Sequence, residues 1–163
     1  MLKLEARGLS KGIACGTAVV SQMPLNVVAA FGKPGNLLRP GVIRDRRHEL
    51  NGRNTAGHIL VIPACVGSTY AGIFLMVLIK MKMGPIAIIV REVEPLLASG
   101  LALAEIWTGR SIPVIECQDP DPCVTIPDGA HVRVDGSTGL ISFERPDPVR
   151  LEQRMPNPRS VIS

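Results

Sequence analysis

Gly57-His58-Ile59-Leu60-Val61-Ile62-Pro63-Ala64-Cys65-Val66-Gly67-Ser68-Thr69-Tyr70-Ala71-Gly72, running into Ile73-Phe74-Leu75-Met76-Val77-Leu78, decides how this chain folds. Residues 59–62 are apolar without interruption, which is the pattern of a strand buried on both faces. A turn of small residues follows, and then an apolar helix expected over 68–83. That order places Ser68 and Thr69 at a helix N-terminus, where unpaired backbone N–H groups and the positive end of the helix dipole favour a carboxylate or phosphate. The same two hydroxyls would also serve as a plain helix cap, and the residues alone leave both readings open.

Outward from this stretch the alternation continues. Residues 86–90 read as a second buried strand, and 95–108 as a second helix with Pro95 in its first turn and Gly109 just past its end. A third core strand is expected over 112–115. Short strands follow over 124–126, 131–135 and 140–143, with Asp128-Gly129 and 135–139 as turns. The first fifty residues carry apolar segments at 2–7 and 13–21, punctuated by Pro24, Gly32, Pro34-Gly35 and Pro40-Gly41, so short strands and long loops are expected there. The folded domain is assigned to 1–143. Residues 144–163 alternate Pro and Arg, and this tail is expected to be extended or disordered without a partner surface.

The 163 residues suit one domain with a substantial core. Aromatic residues are only 3%, so that core is aliphatic and the surface has few rings on which bases would stack. The charge of +4 gathers at Arg39, Arg44, Arg46, Arg47 and Arg53. Such a cluster suits an anionic substrate, an acidic partner or simply a solvated face. It lacks the aromatic interleaving and motif spacing of a nucleic-acid site, so nucleic acid is not expected as a partner.

The N-terminal residues carry no apolar export signal. The apolar stretch 72–90 is interrupted by Lys80, Lys82 and Gly84-Pro85, so no membrane span is expected. Cys15, Cys65, Cys117 and Cys123 are irregularly spaced with no C-x-x-C pair, which argues against a zinc or redox site within the chain. A cytoplasmic location with reduced, buried thiols is expected, Cys65 being the one nearest the Ser68 turn.

The catalytic inventory is incomplete. His48, His58 and His131 are the only histidines. Gly67-Ser68-Thr69 is not a G-x-S-x-G elbow, and no lysine follows the glycine as a Walker loop requires. His58 precedes an apolar strand and reads as structural, whereas His48 lies in the polar run Arg44-Asp45-Arg46-Arg47-His48-Glu49 and is the better candidate for contact with an anion. The chain has the look of half an active site.

The segments Pro24-Leu25, Gly41 through Gly52, Ala56 through Pro63, Gly67-Ser68-Thr69, Pro85 through Val90, Pro95-Leu96-Leu97-Ala98 and Ile112-Pro113-Val114 occur in an order and spacing that resembles the small subunit of the aconitase X dehydratases. The resemblance covers about residues 10 to 116. It implies an α/β fold of the swivelling β/β/α kind, with barrel-like sheet elements and flanking helices. It also implies a partner, a large catalytic subunit holding an iron–sulfur cluster or iron, and a small anionic hydroxy acid as substrate. Members of the family dehydrate cis-3-hydroxy-L-proline or phosphomevalonate, and the first is the expected substrate here because only the second needs a further phosphate site. By position, the resemblance makes Ser68 the group that removes the proton. It sets Gly67 and Thr69 around the substrate anion and assigns Asp45 and His48 to substrate or subunit contact. Two other classes compete. A phosphohistidine carrier shares the swivelling fold but needs a histidine at the start of the 95–108 helix, and none lies between His58 and His131. In a non-catalytic regulatory subunit, Ser68 would only cap its helix.

Overall fold

The computed structural model describes residues 1–32, 40–68 and 70–144. Thr69, Arg39 and the expected tail beyond Glu144 lie outside the described residues.

The centre of the fold is a parallel sheet of β3 (Ile13–Val20), β5 (Ile59–Ile62), β7 (Ala87–Val90) and β8 (Val114–Glu116). Helix α2 (Tyr70–Met81) connects β5 to β7, and α3 (Pro95–Thr108) connects β7 to β8. The central strands read as uninterrupted apolar runs because both of their faces are covered. Leu60, Ile62, Ile88, Val90 and Val114 face the helices and pack with Leu75, Leu78, Leu97 and Leu101. Ile59, Val61, Ala87, Ile89 and Ile115 face the opposite way, onto Val132, Val134, Ile141 and Phe143. Those last residues belong to β9 (His131–Asp135) and β10 (Leu140–Glu144), an antiparallel pair that joins the sheet through β3. Two cores back to back on one sheet give the three layers β/β/α.

The sheet runs β1-β10-β9-β3-β5-β7-β8-β2, with β1 (Leu2–Glu5) at one edge and β2 (Arg7–Ser10) at the other. A single residue, Ala6, separates the two edge strands in sequence, so the sheet must curl until its edges meet. The closure is tight. The backbone of Ala6 donates to the Gly139 carbonyl at 2.9 Å, and a Cβ placed on Gly8 would lie 1.9 Å from the Gly136 carbonyl oxygen. Helices α2 and α3 approach each other closely at Gly72 and Gly100, where a Cβ on Gly100 would stand 2.8 Å from the Gly72 carbonyl oxygen.

Both long helices and the central strands agree with the sequence to within a residue or two. The second helix runs over its expected residues and stops where Gly109 takes a left-handed conformation, its N–H donating to Glu105. Two short elements differ. Residues 124–126 were expected as a strand, but Pro122–Thr125 forms helix α4, capped by the Asp121 side chain on the Cys123 N–H with Pro122 at the first helical position. A cap and a proline at the start override the β-branched Val124, Thr125 and Ile126. Likewise Val27–Phe31 forms a one-turn helix, α1, because the Asn26 side chain accepts the Ala29 N–H at 3.0 Å.

Candidate functional site

All four parallel strands end on the same side, and this carboxyl edge is where open α/β sheets place their ligands. Beyond β3 come Ser21, Gln22 and Met23. Beyond β5 come Pro63 and Ala64, then the two-residue strand β6 (Cys65–Val66) and the Gly67-Ser68 turn. Strand β6 pairs in parallel with β4 (Leu25–Asn26), Leu25 opposite Cys65 and Asn26 opposite Val66. The Leu25 N–H also donates to the Ala64 carbonyl at 3.0 Å. The chain after β3 therefore forms a short rail along which the Ser68 turn is laid.

Ser68 is exposed, and its carbonyl accepts the Ala71 N–H at 2.8 Å as the helix begins. Its hydroxyl makes no hydrogen bond to a described residue. Gly67 has φ of +147°, in the region that L side chains avoid, and the Asn26 Oδ1 stands 3.3 Å from where a Cβ would be. A glycine is required for the turn to swing past Asn26 and present Ser68 to solvent.

Of the two polar residues assigned to substrate or subunit contact, Asp45 is half-buried and His48 is buried. His48 is 5% exposed. Its Nδ1 accepts the Leu50 N–H at 3.1 Å, and its Nε2 lies 3.3 Å from the Met23 carbonyl. Asp45 accepts the Arg47 N–H on its side chain and the His48 N–H on its carbonyl, which makes it the corner of a turn. Both residues bear on the site through the main chain they hold. Residues 41–55 fold back on themselves, the Ile43 N–H donating to Arg53 and the Thr55 N–H to Gly41, and they lean on the end of β3.

Glu49 is the pin, and the sequence reading passed over it. One carboxylate oxygen receives the Ser21 hydroxyl at 2.5 Å, the Gln22 N–H at 2.5 Å and the Met23 N–H at 3.2 Å. The Ser21 hydroxyl, with the two N–H groups, outweighs partial burial and holds the Glu49 carboxyl below its usual range. A carboxylate whose pKa is lowered on folding stabilises the fold above its unfolded value, near 4.5, and ceases to do so as pH falls through the folded value. Glu49→Gln should therefore lower the denaturation midpoint at pH 7, and the gap to wild type should close toward pH 3. A gap of equal size at both pH values would show that the charge is not what holds residues 21–23.

The far wall of this edge is α4 and the turn before β9. The Gln22 side chain donates to the Cys123 carbonyl at 2.5 Å, and Arg91 pairs with Asp121 at 2.8 Å. Burial raises the Asp121 pKa, but Arg91 and the Cys123 N–H outweigh it and keep the carboxyl below its usual range. Arg53, from the basic cluster, pairs with Asp128 at 3.2 Å while both side chains stay about half exposed, a geometry that contributes little to stability. Arg46 and Arg47 are exposed.

The cysteines do not fit a metal-ligand set. Burial pushes the Cys65 and Cys123 thiols up to about 12. Cys15 is exposed on β3. Among the described residues no group of three or more His, Cys, Asp or Glu side chains is placed to hold a metal ion. A groove of about 850 Å³ lies at the opposite end of the strands, between Ile13, Gly57, Pro85, Ile86, Ile112 and Pro113, and it does not reach Ser68. No helix among the described residues is long and apolar enough to cross a membrane.

A β/β/α domain whose carboxyl edge presents the Ser68 hydroxyl on a glycine turn, braced by neighbouring main chain, has the fold of a swivelling domain. This chain belongs to the aconitase X swivel-domain family, whose model matches residues 3–143. It is 30% identical over 152 residues to the phosphomevalonate dehydratase small subunit of Methanosarcina acetivorans, covering 93% of this chain and 98% of that one. It is 34% identical over 142 residues to the subunit of the same name from Pyrococcus furiosus, covering 87% and 96%. Among solved structures it is similar to the holo form of Thermococcus kodakaraensis aconitase X, with a TM-score of 0.75 and 29% identity over 89% of this chain and all of that one.

Proposed function

We propose that this chain is the small subunit of a phosphomevalonate dehydratase, a hydro-lyase whose active site is shared with a large subunit holding an iron–sulfur cluster or iron. The observation that carries the reading is the name shared by relatives matched along nearly their whole length. It displaces cis-3-hydroxy-L-proline, which the sequence favoured on the ground that phosphomevalonate needs a second anion site. Arg46 and Arg47, exposed on the segment that Glu49 pins beside the carboxyl edge, are suited to that second anion.

In this reading the substrate is an anion bearing a hydroxyl on the carbon next to a removable proton. The backbone of the Gly67 turn, with Thr69, holds one anionic group at the start of α2. Ser68 takes the proton, and the hydroxyl leaves from the neighbouring carbon, so one double bond and one water result. A serine is a weak base at its ordinary pKa, so Ser68 must act as the alkoxide: its own proton is released to solvent beforehand, and the helix N-terminus stabilises that negative charge until the oxygen takes the substrate proton. Asp45 and His48 contribute by holding residues 41–55 in place.

Turnover of phosphomevalonate and of cis-3-hydroxy-L-proline by the chain reconstituted with its cognate large subunit tests the assignment. A preference of roughly a hundredfold or more for phosphomevalonate is expected, since a site built for two anionic groups leaves polar groups unpaired with the smaller substrate. The reverse preference would return the chain to the hydroxyproline branch.

A further inference from the structure

Helix α2, Tyr70–Met81, carries a single charged residue, Lys80, in twelve. A helix on the surface of a domain normally turns a polar face outward, and one that is apolar all round is covered. Ala71, Gly72, Leu75, Leu78 and Ile79 are buried against the sheet and α3, which accounts for one side. The other side is also apolar. Tyr70 is 70% exposed, Ile73 45%, Val77 37% and Met81 55%. At 100° per residue these four side chains fall within an arc of about 80°, and they run about 16 Å along the axis. They form a continuous stripe, the kind of surface that monomers seldom expose.

We propose that this stripe is the docking surface for the large subunit, which grips α2 from its first turn at Tyr70 down to Val77. The inference rests on the function proposed above and names the face by which the two chains join. Position selects the occupant. Val66 and Tyr70 are both exposed and flank the Ser68 turn on its two sides in sequence. A partner that brings the rest of the chemistry to Ser68 must cover both of them, and Ile73 and Val77 continue that contact without a polar break. A second copy of this chain docked on the same face would bury the Ser68 turn and shut out substrate. Tyrosine at the rim of the site is also the residue type on which interface energy concentrates.

Binding of the cognate large subunit to the full chain, by calorimetry or interferometry, tests the proposal. Ile73→Asp/Val77→Asp and, separately, the single Tyr70→Ser at the more exposed position should each weaken binding at least about thirtyfold, the scale of an interface hot spot. At saturating large subunit, kcat of the Ile73→Asp/Val77→Asp variant should stay within about threefold of wild type. Unchanged circular dichroism confirms that the variants fold. Binding within threefold of wild type for both would overturn the proposal. So would a wild-type chain that dimerises alone in sedimentation and becomes monomeric on Ile73→Asp/Val77→Asp, because the stripe would then belong to a second copy. Ser68→Ala serves as the separating control and should bind normally. If it also turns substrate over normally, the catalytic reading fails while the docking surface stands.

Discussion

Replacing Ser68 by alanine should lower kcat of the reconstituted enzyme by roughly a hundredfold or more, the scale on which a positioned acid–base group contributes. The structure makes this substitution unusually clean. The hydroxyl has no partner among the described residues, so no internal hydrogen bond is lost with it. The backbone of Ser68 supplies the contact that starts α2, its carbonyl accepting from Ala71, and alanine keeps that carbonyl. Stability and large-subunit binding should hardly change, and KM should move much less than kcat, because the substrate anion is assigned to backbone N–H groups rather than to this side chain. Steady-state kinetics beside a thermal melt reads all three. A rate within a few-fold of wild type would leave Ser68 as a feature of the turn and point to a regulatory subunit.

The largest stability effect is expected far from that site, at the seam of the sheet. Gly139 has φ of +72°, and a Cβ built on it would lie 1.9 Å from the Ala6 carbonyl oxygen. That atom belongs to the backbone of the one residue joining the two edge strands, so it cannot rotate away as a side chain would. Gly139→Ala therefore incurs the left-handed cost of about 1 kcal/mol together with a displacement of the closing strand, and we expect a total near 3 kcal/mol or more. For a domain of this size that corresponds to a fall in Tm of roughly 10 °C. Gly129 is the matched control. Its φ is +79°, yet nothing stands within 4 Å of a Cβ there, so Gly129→Ala should show the conformational cost alone. Equal melting temperatures for the two variants would show that the seam is slack. An intact seam should also matter for the site, since β9 and β10 back the same strands whose carboxyl ends carry it.

Particular residues show where the sequence was legible. Periodicity and punctuation identified β5, α2, β7 and α3 because each is long enough, or apolar enough, for local pattern to decide it. Pro95 and Gly109 marked the two ends of α3 by chemistry that acts within a few residues. The failures were at one-turn helices: α4 formed where residues 124–126 were expected as a strand, and α1 formed in a stretch read as loop. In both, a single side chain, Asn26 or Asp121, satisfies an N–H three or two residues on and tips the balance. The weight of such a cap against β-propensity depends on what the turn packs against.

At the site, the Ser68 turn was readable because strand, turn and helix are consecutive in the chain. Glu49 was not, because its partners Ser21, Gln22 and Met23 lie some 26 to 28 positions earlier. His48 drew attention as the histidine of a polar run, yet its ring is turned inward onto the backbone of Leu50 and Met23. A linear string of charges does not say which side chain faces water.

By itself, then, the amino-acid order determined the central β-α-β-α-β alternation, the aliphatic core and the hydroxyl-bearing turn, since these follow from hydrophobic period, glycine and capping chemistry acting over a few residues. Tertiary structure alone decided that the sheet curls until Ala6 meets Gly139, that Glu49 clamps the end of β3, and that one apolar face of α2 is left without a neighbour among the described residues. Each of these depends on contacts between residues distant in sequence, whose strength is set by burial and close approach.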